Sequence, residues 1–193
     1  MKALPFCLGL VRASEQQLVK SFGAMALKHK SDYEIHQSCK LFRLWSERRI
    51  EKLDTFATRH GTLLNPDPAR LKRALFHGPR IGGYGLLRDL QDLLLLVHQA
   101  RTGWTALTQA AKELKEGDLI ETTSGCAGEI DREIDWLCTH IKVAAPQALT
   151  VPVDLLAEAK DSAPALAAKV LIGVALGAGI GLAIKGLHAR AVA

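Results

Sequence analysis

Apolar side chains recur at steps of three and four in four separate runs between residues 6 and 145. The first run, residues 6–28, puts Leu8, Val11, Leu18, Phe22 and Met25 on one stripe. That spacing belongs to a helix buried along one side. Ser31-Asp32-Tyr33-Glu34 then reads as a capping box, the serine oxygen accepting an orphan amide proton while the glutamate reaches back. It predicts a second helix over 32–59, stopped at Gly61, with Ile35, Cys39, Phe42 and Leu53 facing inward. Asn65-Pro66-Asp67-Pro68 breaks the pattern. Residues 69–76 suit a short basic helix, and residues 77–85 read as a flexible glycine loop. The third long helix, 86–114, carries the most regular stripe, from Leu86, Leu90 and Leu93 through Val97, Ala100 and Trp104 to Leu107, Ala111 and Leu114. Asp118 caps a fourth, whose core face is Ile120, Ala127, Ile130, Ile134, Leu137 and Ile141 and which Pro146 ends. No stretch alternates with the period of two that a strand requires.

The last apolar stretch is different in kind. From Val170 to Ile184 there is no polar side chain, and between 164 and 184 only Lys169 is charged. A bilayer core takes about 20 apolar residues of helix. The segment reaches that length if Lys169 lays its alkyl stem along the helix and leaves its ammonium among the head groups. Gly173, Gly177 and Gly181 lie four apart, which lets two helix backbones approach closely in lipid. In water each would cost about 1 kcal/mol relative to alanine. We therefore expect a domain over 1–145, a linker over 146–163 and a transmembrane anchor over 164–187. The opening residues have too short an apolar run, interrupted by Pro5 and ended by Arg12, to suit a secretory signal. That places the helical domain on the cytoplasmic side of the cell inner membrane. Lys185, His188 and Arg190 beyond the span run against the positive-inside tendency.

A net charge of +5 dispersed over 193 residues suits an anionic surface without calling for nucleic acid. Cys7, Cys39, Cys126 and Cys138 are scattered, with no zinc-type spacing, and are expected to be reduced, buried thiols. No serine or cysteine has the companions of a nucleophilic triad. The glycine loop at 82–85 follows no strand, so it implies no nucleotide-binding turn. Its neighbours Arg70, Lys72, Arg73, Arg80 and Arg88 leave contact with lipid phosphates open. Arg48, Arg49 and Lys52 are expected on a solvated face.

Four amphipathic helices with short first and last connections and a longer middle one predict an all-α four-helix bundle made of two hairpins. Over residues 6–145 this layout resembles the ferritin-like superfamily. The resemblance implies inward carboxylates and histidines that could hold a pair of iron or manganese ions. Glu15 sits within the first apolar stripe and needs a partner if buried. Glu129, Glu133 and His140 share one face of the fourth helix, and the third offers Asp89, Asp92 and His98. A metal set would be Glu15, Asp92, Glu133 and His140. Against it, no Glu-x-x-His occurs anywhere. The competing expectation is that Glu15 pairs with an arginine or lysine across the bundle, with Glu129, Glu133 and His140 on a solvated flank. The sequence thus favours a membrane-tethered scaffold or adaptor without catalysis or cofactor. Its partners would be the lipid bilayer and a second copy joined through the glycine-rich helix. A ferritin-like metal-binding or redox protein is the alternative.

Overall fold

The computed structural model describes residues 3–78, 80 and 82–150. Every regular element among them is helical: α1 (Leu4–Lys28), α2 (Tyr33–His60), α3 (Asp67–Ala74), α4 (Gly82–Leu114) and α5 (Gly117–Thr150). The chain divides into two units, residues 1–151 and 152–193. The second, with the expected anchor at 164–187 and Gly173, Gly177 and Gly181, lies outside the described residues. Among the described residues no helix is long and apolar enough to cross a membrane.

Local chemistry sets the helix ends. The cap of α2 is Asp32 and not Ser31: its carboxylate accepts from the Ile35 amide at 3.1 Å. Gly61 closes α2 with a positive φ of 76° that a side chain would resist. Two boundaries differ from expectation. Helix α4 starts at Gly82, inside the glycine stretch read as a loop, and α5 continues through Pro146 to Thr150. One proline four residues from a helix end withdraws a single amide donor near the terminus, where water can replace it.

Pairs of side chains fix how the long helices run. Arg12 meets Asp54 near one end of α1 and His36 meets the Ala26 carbonyl near the other, so α1 and α2 are antiparallel. Helix α4 is antiparallel to α1, with Gly103 beside Val11 and Asp89 beside Lys28. Helix α5 is antiparallel to α2, from Arg59–Asp118 to Glu34–His140. The order is up, down, down, up. The segment joining α2 to α4 must therefore travel the length of the helices, and α3 packs on α1 and α4 along that route. It is pinned at both ends. The Leu63 amide donates to the Pro5 carbonyl at 3.0 Å, and the Phe76 amide donates to Asp92 at 2.6 Å. Gly9 makes the first pin possible, since a Cβ there would stand 1.6 Å from the Leu63 carbonyl oxygen.

One apolar core runs between the four long helices and includes Phe22, Phe42, Leu53, Leu93, Trp104 and Ile130. The predicted stripes of α1 and α4 are inward, although Leu114 at the end of α4 is exposed. On α5 the buried face is turned slightly from the expected one, to Leu119, Thr123, Cys126, Ile130, Glu133 and Leu137. This rotation brings Glu133 into the interior.

Candidate functional site

The buried face of α2 is Ile35, Cys39, Phe42, Ser46, Arg49, Leu53 and Phe56, in alternating steps of four and three. Arg49 therefore belongs to the core stripe. Its guanidinium is fully buried, contrary to the solvated face expected for it. The reason is its partners. Arg49 Nε and Nη2 donate to the two oxygens of Glu15 on α1, each at 3.0 Å. Nη1 donates to Glu133 on α5 at 2.8 Å, and Nη2 also donates to the Ser46 hydroxyl at 3.0 Å. Glu129 approaches Nη1 at 3.5 Å from a half-buried position, and Lys52 stands 3.8 Å from Glu129 on the outer side. From α4, the Trp104 indole N–H donates to Glu15 Oε1 at 2.7 Å. Four helices thus meet at one polar centre inside an apolar core.

The planar fork of arginine suits this place because it can serve two carboxylates and a hydroxyl at once. Burial works against its charge, but the ion pairs with Glu15 and Glu133 more than offset that, so its pKa is raised. Burial pushes the Glu133 carboxyl up to about 7, Arg49 holding it down only in part. Arg49 compensates only in part because the equally buried Glu15 shares it, and the charges of Glu15 and Glu129 raise the Glu133 carboxyl further. Glu133 Oε2 is buried with no hydrogen-bond partner among the described residues, so one of its oxygens stays uncompensated. The thiols of Cys39 and Cys126, free and buried, are pushed up to about 12 by desolvation.

The four candidate metal residues are separated into three places. Glu15 and Glu133 come together, but through Arg49. Asp92 belongs to a second buried cluster near the start of α4, where Arg80 spans Asp92 and Asp89. Asp89 also accepts from Lys28 at 2.5 Å and lies 2.8 Å from His29 Nε2. Burial raises the Asp89 carboxyl, but the bonds from His29 and Lys28, with Arg80, outweigh it and leave it below the usual carboxylate range. His140 stacks on Trp136 and reaches Glu34 at 3.0 Å. Among the described residues, no group of three or more histidine, cysteine and acidic side chains is placed to hold a metal ion. The donor set does not fit the two cations that the resemblance implies. Both Glu15 oxygens are engaged, and a fixed cation occupies the space between the inward carboxylates.

The period of α2 offered a signal for Arg49, seven residues after Phe42 and four before Leu53, but its charge masked it. The inward turn of Glu133 and the seat of Asp92 had none, because their partners are 84 and 12 residues away. Compared with known proteins, the chain matches no family model, no curated protein and no solved structure.

Proposed function

We propose that this chain is a non-catalytic scaffold or adaptor, a four-helix bundle tethered to the cell inner membrane through residues 164–187, with the bundle on the cytoplasmic side. The observation that carries the non-catalytic part is Arg49. Its guanidinium takes both inward carboxylates, Glu15 and Glu133, leaving the centre cross-linked by hydrogen bonds from all four long helices. Such a centre fixes helix register, which suits a body that presents surfaces to partners. Support for the tether is the composition of 164–187, apolar with Gly173, Gly177 and Gly181 in register for a second copy. Washing membranes with alkaline carbonate tests it: full-length chain should stay in the pellet and leave only with detergent. Release into the wash would contradict the tether.

A ferritin-like ancestry is the second reading. It draws on two hairpins joined by a lengthwise crossover and on inward carboxylates at mid-helix. Under it, Arg49 stands where iron or manganese would otherwise bind, and the scaffold works without metal.

A further inference from the structure

The middle connection does more than join the two hairpins. Between α1, α3 and the segment leading to α4 it lines a half-open cavity of about 470 Å³. That is within the roughly 300–1,000 Å³ of small-molecule sites. Ala24, Met25, Leu75 and Phe76 give it an apolar lining. Its polar groups are mostly cationic: Lys28, Lys72, Arg73 and Arg80 contribute, and Asp89 is the single acid in its wall. Asp89 is already bonded to Lys28, His29 and Arg80. Lys72 and Arg73 have no carboxylate within ion-pair distance among the described residues. Two buried donors in the wall are also unsatisfied. The Ser21 hydroxyl, on a residue 3% exposed, and the Arg80 Nε–H have no hydrogen-bond partner among the described residues. A buried donor without a partner costs about 1–3 kcal/mol. Its place in a wall with surplus positive charge calls for a ligand rich in acceptor oxygens.

We propose that this cavity binds an amphipathic phosphate: a phosphate monoester whose oxygens meet Ser21, Lys72, Arg73 and Arg80, with an alkyl chain lying on Met25, Leu75 and Phe76. A phosphate suits the site better than a carboxylate. It brings three charged oxygens to four donors that line the cavity from α1, α3 and the connection before α4. The same chemistry is offered by a free alkyl phosphate or by the head of an anionic phospholipid.

The test is calorimetric titration of the full-length chain with octyl phosphate. Saturable one-to-one binding is expected, with octanol and inorganic phosphate each binding at least tenfold more weakly. The double substitution Lys72→Glu/Arg73→Glu, on the short outer helix α3, should weaken octyl phosphate about tenfold or more, as expected for losing charged hydrogen bonds. Ala24→Phe, at an exposed position of α1 in the wall, should do the same by filling the cavity. Unaltered thermal unfolding of either variant makes its binding result decisive, and the α3 pair stands alone if Ala24→Phe does not fold. Competition separates the sources. Displacement of octyl phosphate by phosphatidic acid vesicles and not by phosphatidylcholine vesicles assigns the ligand to the bilayer. No displacement by either assigns it to a free amphiphile. Absence of saturable binding, equal binding by both variants, equal binding of inorganic phosphate, or displacement by phosphatidylcholine alone overturns the proposal.

Discussion

Replacing Arg49 with methionine keeps most of the side-chain volume and removes the charge. Two fully buried carboxylates, Glu15 and Glu133, then face each other with no cation between them. Breaking a buried ion pair from one side costs about 3–5 kcal/mol, because the orphaned charge stays in the interior. Against a total stability of about 5–15 kcal/mol this is a large fraction, and it should lower the melting temperature by about 10 °C. The four hydrogen bonds of the guanidinium would go with it. Urea unfolding of Arg49→Met, followed by far-UV circular dichroism, measures the loss. The reasoning makes a second demand. The combination Glu15→Gln/Arg49→Met/Glu133→Leu removes the three fully buried charges at the centre and leaves Glu129 to Lys52, and the glutamine's carbonyl keeps an acceptor for the Trp104 N–H. It should recover most of the lost stability, since replacing a whole buried ion cluster by neutral groups is often neutral or better. A single variant within about 0.5 kcal/mol of wild type, the range of ordinary surface changes, would refute the placement of Arg49.

Protonation at the centre has a sign that can be worked out. The Glu133 carboxyl is raised from 4.5 to about 7 on folding. Its contribution is fully present below 4.5 and is lost as pH rises through 7, a change on the order of 3 kcal/mol that Glu133→Gln should flatten in melts across that window. Asp89, held below its ordinary value of 3.8, runs the other way. Its contribution is present above 3.8 and lost on further acidification, so Asp89→Asn should reduce the acid sensitivity of the fold while lowering its stability near neutrality by about 1–3 kcal/mol. Gly9→Ala drives a methyl group into the Leu63 carbonyl and should destabilise by about 1–3 kcal/mol in urea titration; no change would mean the connection after α2 is not seated there. Cys39 and Cys126, with thiols pushed up to about 12, should resist iodoacetamide in the native state and react on unfolding, as read by mass spectrometry.

Periodicity made the helices legible because burial along one side of a helix leaves its mark every three or four residues. The stripe of α1, with Glu15 inside it, is the clearest case. Composition also marked 164–184 as unlike the rest. Arg49 was hidden for a chemical reason: a charged residue flanked by Arg48 and Lys52 reads as solvated until the carboxylates from α1 and α5 are brought to it. Arg80 was hidden by its setting. In a glycine-rich stretch it reads as part of a flexible loop, whereas it is anchored by Asp89 and Asp92, and α4 begins two residues later at Gly82. Local sequence records which positions are apolar. It does not record which distant charge will neutralise a polar one.

Elemental analysis goes most directly to the central claim that an arginine, and not a metal pair, occupies the polar centre where the four helices meet. The full-length chain, purified without chelator from cells supplied with iron and manganese, should carry far less than one equivalent of either, and Glu15→Ala should not change that figure. One or more equivalents of iron or manganese per chain, lost in Glu15→Ala, would contradict it.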